Sequence, residues 1–284
     1  MNDWNLNLAV AQFAVGPRWQ DNLAQAVGYI EDAERSGVDL LVLPEGILVR
    51  FDEHRERIRE AAQPLDGPFV TQLRNATQGR QVTVVAGIHE TNSDDRPFNT
   101  LVVVRNGELV AVYRKIHLYD AFGSLESDRV AAADDPPVVF TCAGATVGLI
   151  TCYDLRFPEM TRLLASMGAQ VLVAAAAWAA GPLKLDHWTT LVRARALDAT
   201  AYVAAAGECG QRCEGNSLIV DPLGRVLTQL GHEPSVTTAQ ASSHELNAAR
   251  AQLPIVAHER FKIAARPDPA AGDKMIVRPE PVST

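Results

Sequence analysis

The chain is 284 residues long, enough for one large α/β domain, and its 47% hydrophobic and 21% charged content excludes wholesale disorder. Lys and Arg number 26 against 34 Asp and Glu, a net charge of −8. No run of Lys or Arg forms a basic stripe, so a nucleic-acid or anionic-membrane surface is excluded, and a small-molecule substrate fits better.

The first six residues are acidic and polar rather than cationic and then apolar, so no signal peptide is predicted. Residues 6–13 place Leu6, Leu8 and Val10 on one side and Asn7, Ala9 and Ala11 on the other, the period of a strand. Residues 21–36 put Leu23, Ala26, Val27, Ile30 and Ala33 at helical spacing, and Gly37 follows as a C-terminal stop. A short buried strand is predicted at 39–43, ended by Pro44, with helices at 54–62 and 69–77. A strand at 82–88 precedes a hairpin with arms at 100–104 and 109–114. Its Asn106-Gly107 link accepts the positive φ of a tight turn.

Strands at 146–151, 171–177 and 202–206 then alternate with two helices. One is opened by Pro158 and closed by Gly168, and the other covers 186–200. Asp221-Pro222-Leu223-Gly224 turns the chain between strands at 217–220 and 226–230. This alternation predicts an α/β fold. Residues 1–265 read as one domain without internal repeats. Residues 266–284 carry Pro267, Pro269, Pro279 and Pro281 and read as a tail, either frayed or packed on a partner subunit. The longest apolar run, 171–180, is about half of the ~20 residues that span a bilayer. Four cysteines (Cys142, Cys152, Cys209 and Cys213) are too few and too uneven for a disulfide framework, so a soluble, cytoplasmic, thiol-reduced protein is expected.

Three segments place a reactive side chain just after an apolar strand, where sheet proteins assemble their sites. In Leu41-Val42-Leu43-Pro44-Glu45-Gly46, Pro44 ends the ladder and Gly46 permits a sharp exit, pinning Glu45 between them. Alone, such a Glu is usually a solvated loop residue. Tyr113-Arg114-Lys115-Ile116-His117 leaves the hairpin; Lys115 reads equally as a surface lysine, and His117 as a hydrogen-bonded structural residue. In Ile150-Thr151-Cys152-Tyr153-Asp154-Leu155-Arg156-Phe157-Pro158, Cys152 stands at a strand-to-helix corner. There the following N–H groups favour a thiolate or an oxyanion, although a free Cys is more often a small buried hydrophobe. Cys209 and Cys213 lack the further ligands of a metal site and read as structural thiols.

Glu, Lys and Cys in this order and with these flanks resemble the carbon–nitrogen hydrolase (nitrilase) superfamily. Gly215-Asn216-Ser217 and the stretch from His187-Trp188 through Arg193-Ala194-Arg195-Ala196-Leu197-Asp198 extend the likeness over residues 6–260. The resemblance implies an α-β-β-α sandwich and a catalytic triad of Glu45, Lys115 and Cys152, with Glu126 as a second carboxylate beside it. It also implies Lys115 and the Tyr153 backbone N–H at the oxyanion, and Arg156, Trp178 and His187 as candidate substrate-binding residues. Neither metal nor cofactor is implied, and a homodimer is expected.

Tyr153 follows the nucleophile where nitrile-cleaving members generally carry Trp, so the resemblance lies with the amidase branch that includes omega-amidases and deaminated-glutathione amidase. These act on small carboxylated amides, and Arg156 would suit a carboxylate or pair with a nearby acid. The segment 180–188, with Lys184, is longer than the Thr-Gly-x-Ala-His-Trp of omega-amidase types. The expected reaction is thioester-mediated hydrolysis of a small amide. The alternatives are hydrolysis of an N-carbamoyl group, or a catalytically silent relative serving as a binding module.

Overall fold

The alternation in the first strand decides the layering. In β1 (Asn5–Gln12) both sets of side chains are buried, Leu6, Leu8 and Val10 on one face and Ala9 and Ala11 on the other. A strand apolar on both faces needs cover on both. On one face, α1 (Trp19–Arg35) and α3 (Pro68–Thr77) supply Leu23, Ala26, Ile30, Phe69 and Leu73, packed with Ala9, Ala11, Leu41 and Val84. On the other, Leu8, Val10, Val85 and Val103 share a core with Leu149, Val173 and Val203 of a second sheet. The computed structural model describes residues 3–50, 55–93 and 95–261. The helix predicted at 54–62 is therefore seen as α2 (Arg55–Ala61), and the tail at 266–284 lies outside the described residues.

The first sheet runs in the order β16 (Ser235–Ser242), β1, β2 (Leu40–Val42), β3 (Thr83–Glu90), β4 (Phe98–Arg105), β5 (Glu108–Arg114). Its β1, β2 and β3 are parallel, and β16, β4 and β5 join antiparallel. The second sheet repeats this scheme as β15 (Val226–Gln229), β14 (Leu218–Val220), β11 (Tyr202–Gly207), β10 (Val171–Ala176), β9 (Ala145–Thr151), β8 (Val139–Cys142), with β9, β10 and β11 parallel. α4 (Pro158–Ser166) and α5 (Lys184–Ala199) cover it through Met160, Leu164, Trp188, Val192 and Ala196. The result is the α-β-β-α sandwich that the resemblance implies. Two short ladders lie outside the sheets: β6 (Asp120–Ala121) with β7 (Ser124–Leu125), and β12 (Cys209–Gly210) with β13 (Cys213–Glu214).

The predicted elements match to within a few residues, and Asn106 and Gly107 take the positive φ of +47° and +79° that the hairpin turn demands. Three full elements escape the sequence pattern: β8, β16 and α6 (Ser243–Gln252). β16 is a half-exposed edge strand with the polar sequence SVTTAQAS, and α6 buries only Ser243, Leu246 and Ala249, so neither carries a strong apolar period. The start of α6 is signalled instead by its cap, where the Ser242 hydroxyl accepts the Glu245 N–H at 3.2 Å. Among the described residues no helix is long and apolar enough to cross a membrane.

Candidate active site

Glu45 leaves the end of β2 on a turn held by β3. Gly87 N–H donates to the Pro44 carbonyl at 3.1 Å and the Gly87 carbonyl accepts from Ile47 at 2.8 Å. The two backbones approach so closely that a Cβ on Gly87 would lie 2.6 Å from the Glu45 Cα. Only glycine fits there. Gly46, at φ +63°, then provides the sharp exit.

The hairpin brings up the cation. Lys115 follows β5 directly, and its N–H donates to the Asn99 carbonyl on β4 at 2.8 Å. Its ammonium, 1% exposed, donates to Glu45 Oε1 at 3.1 Å and to the two oxygens of Glu126 at 3.0 and 2.8 Å. Glu126 opens a single turn of 3₁₀ helix after β7, and its Oε2 also accepts the Tyr119 N–H at 2.6 Å. Burial pulls the Lys115 pKa down, but Glu126, Glu45 and Cys152 together outweigh it and hold it well above the usual lysine value. It stays charged.

The second sheet brings the thiol. Cys152 follows β9 with φ +45°, a left-handed conformation that costs a non-glycine residue about 1 kcal/mol or more. Asp154, fully buried, braces this corner: one oxygen accepts the Thr151 N–H at 3.0 Å and the Tyr113 hydroxyl at 2.7 Å, and the other lies 2.7 Å from His117 Nδ1. His117 stacks on Phe157 at 3.7 Å between ring centroids, which matches its structural reading. Burial, then Glu45, pushes the Cys152 thiol well above its ordinary pKa, with Lys115 opposing. Cys152 therefore rests as a thiol beside a carboxylate whose Oε2 accepts the Ala177 N–H, just past β10, at 2.6 Å.

Glu45, Lys115, Glu126 and Cys152 all line one cavity of about 600 Å³. Arg156 and Trp178 line it too; Tyr153 and His187 are not among its described lining residues. His187 sits behind Arg156, its Nδ1 3.4 Å from an Nη. Among the described residues no acid pairs with Arg156, whose guanidinium lies 4.9 Å from the Trp178 ring centroid and whose Nε is buried without a hydrogen-bond partner.

Residues 7–251 match the profile of the family described as carbon-nitrogen hydrolase. The chain belongs to the carbon-nitrogen hydrolase family. Among curated relatives of this hydrolase, the deaminated glutathione amidase of Escherichia coli O157:H7 is 41% identical over 254 residues, covering 89% of this chain and 97% of its own. Among solved structures, the CN-hydrolase superfamily protein XC1258 of Xanthomonas campestris, described with an arsenic adduct in its active site, aligns at a TM-score of 0.83. It is 25% identical and covers 93% of this chain and 100% of its own. A variant of the amidase from Nesterenkonia sp. AN1, carrying the acetamide moiety of fluoroacetamide on its active-site cysteine, aligns at 0.72. It is 26% identical and covers 88% of this chain and 95% of its own.

Sequence reasoning missed several residues in and around this hydrolase's cavity, Phe122 among its lining. Asn99 Nδ2 donates to both Glu45 (2.6 Å) and Glu126 (3.1 Å), bridging the two acids. His89, opposite Asn99 on β3, is fully buried and driven down to about 4 by desolvation, so it is neutral. Asp154 was in view only as a flank of Cys152. Glu208, 2% exposed, lines the cavity with Cys213, whose Sγ lies 3.5 Å from it. The Asn-Thr at the start of β4 carries no motif, and only the register of β3, β4 and β5 aligns His89, Asn99 and Lys115.

Proposed function

We propose that the chain hydrolyses the amide bond of a small carboxylated substrate through a thioester on Cys152. Glu45 takes the thiol proton as the sulfur attacks the carbonyl carbon, because a thiol raised by burial cannot supply a standing thiolate. Charge moves to the carbonyl oxygen, where Lys115 and the Tyr153 N–H receive it. One Lys115 N–H can serve both Glu126 oxygens, which leaves another for the oxyanion. Protonated Glu45 hands its proton to the departing nitrogen and the C–N bond breaks. Glu45 then takes a proton from water as it attacks the thioester, and the carboxylic acid leaves with the thiol restored. Glu126 and Asn99 hold Lys115 and Glu45 in place throughout.

The carrying observation is the Lys115 ammonium lodged between Glu45 and Glu126 on the floor of the cavity that Cys152 lines. The amidase with an adduct on its cysteine supports the nucleophile. For the substrate class, the support is the deaminated glutathione amidase relative and Arg156, which has no acid partner among the described residues, since glutathione ends in carboxylates. Trp178 forms the apolar wall and His187 supports Arg156 from behind. A cytoplasmic homodimer is part of this reading, and sedimentation of the purified chain tests the dimer.

The test is release of ammonia or amine from deaminated glutathione and from glutaramate, followed beside intact mass. Wild type turns over and forms a covalent Cys152 adduct with fluoroacetamide, whereas Cys152→Ala does neither and keeps its thermal unfolding midpoint within a few degrees. Turnover by Cys152→Ala at the wild-type rate would sink the assignment.

A further inference from the structure

Lys184 opens α5 in the segment that departs from the omega-amidase pattern, and it is 7% exposed. Its Nζ donates to the Tyr119 hydroxyl at 2.7 Å and lies 3.7 Å from the Phe122 ring centroid and 5.1 Å from that of Tyr119. Among the described residues no carboxylate pairs with it. A buried ammonium is strongly disfavoured unless an anion meets it, and two ring faces with one neutral oxygen compensate only in part. Two of its three N–H donors have no acceptor among these contacts. Both Lys184 and Arg156 line the cavity above Cys152, and both face Phe122, the guanidinium at 5.8 Å from its centroid.

Phe122 caps this pair from outside. It stands at the tip of the β6–β7 hairpin with φ +55°, ahead of Gly123 at +80°, and is 69% exposed. A large side chain in a left-handed backbone at a solvent-facing tip is a strained arrangement. What it secures is the ring over Lys184. The hairpin base is tied to the cavity floor, because Tyr119 N–H donates to Glu126 Oε2 and Glu126 holds Lys115.

We propose that Lys184 is a specificity-determining residue that, beside Arg156 and beneath the Phe122 ring, captures a carboxylate of the amide substrate. The inference rests on the amidase reading above and deepens it: a cation with no counter-ion among the described residues, held in an aromatic niche, takes its counter-ion from the substrate. The substrates selected are amides bearing a carboxylate, in preference to neutral amides of equal length. Lys184 contributes to holding them, and the chemistry stays with Cys152.

The experiment compares kcat/KM for butyramide, glutaramate, the methyl ester of glutaramate and N-butyrylglycine in wild type, Lys184→Met and Lys184→Arg. The two acids, glutaramate and N-butyrylglycine, place the carboxylate on the acyl side and on the amine side of the scissile bond, with the methyl ester and butyramide as their respective neutral counterparts. Wild type favours at least one of these acids over its neutral counterpart. Lys184→Met lowers that preference about 10- to 100-fold, mainly through KM, and Lys184→Arg regains most of it. A preference retained in full by Lys184→Met overturns the inference while leaving the amidase reading intact. Failure of the wild type to hydrolyse any of the four, and deaminated glutathione with them, overturns the amidase reading instead. If Lys184→Met does not fold, the wild type alone still decides: equal kcat/KM for glutaramate and its methyl ester, together with no preference for N-butyrylglycine over butyramide, overturns the inference.

Discussion

The floor and the rim of the cavity handle charge in opposite ways. On the floor, every charged group is answered within the protein: Lys115 by Glu45 and Glu126, and those acids by Asn99 and the N–H groups of Ala177 and Tyr119. At the rim, Arg156 and Lys184 rest on the faces of Trp178, Phe122 and Tyr119 with no acid beside them among the described residues. The floor is built from strand ends whose register is set by two sheets, and the rim from a hairpin tip and the first turn of a helix. Preorganised charge serves a transition state that is the same for every amide. Unsatisfied cations serve a substrate group that differs between amides.

That contrast breaks most visibly on the floor. Glu45→Gln keeps the size and the Asn99 contact but cannot accept the thiol proton, and kcat for the best substrate should fall about 1,000-fold or more. Lys115→Met should do the same and also destabilise the fold by roughly 3–5 kcal/mol, because two buried carboxylates lose their cation. A Lys115→Met protein as stable as wild type in urea titrations would mean that the floor is not a closed ionic unit. At the rim, Phe122→Ala should raise KM a few-fold for carboxylated amides and leave kcat near the wild-type value. A large kcat loss there would erase the division of labour.

The next effect concerns what holds Glu45. In Gly87→Ala the new methyl would meet the Glu45 Cα at 2.6 Å, so the turn must shift while both sheets persist. We expect kcat to drop about 10- to 100-fold with a modest fall in melting temperature, since small displacements of the proposed base are costly. Steady-state kinetics beside circular dichroism checks this. Asn99→Ala should fall in the same range, by releasing both acids at once.

These two positions also mark where reading the sequence stops. Glu45, Lys115 and Cys152 stood out because each follows an apolar strand and the three together, in that order and with those flanks, resemble one family. Strands alternating with helices gave the α/β class, and the two-sheet sandwich came from that resemblance. Asn99 and Gly87 lie inside ordinary strands, and their importance comes from pairing: Gly87 faces the Pro44–Ile47 turn, and Asn99 sits between His89 and Lys115. No one-dimensional pattern encodes which strands become neighbours. Lys184 was visible only as a departure in loop length. Its niche needs Tyr119 and Phe122, 62 or more residues earlier in the chain, to fold over it.

The smallest expected effect lies on the wall of the cavity, where Glu208 is buried and no ion pair is formed with it among the described residues. It accepts the Val15 N–H at 3.2 Å and faces Cys213. Desolvation raises its pKa from 4.5 to about 7, against the Val15 N–H, Cys213 and Arg50, and with help from Glu45. The unfolded chain releases this proton near pH 4.5 and the folded chain only near 7. Stability is therefore complete below about 4.5 and is lost as pH rises through about 7. The full loss is roughly 3 kcal/mol, which lowers the melting temperature by several degrees. Glu208→Gln keeps an acceptor for Val15 and cannot ionise, so its melting temperature should decline less between pH 5 and 8 than that of the wild type. Parallel declines in the two proteins, followed by calorimetry, would place Glu208 among the answered charges of the floor and remove it from the contrast.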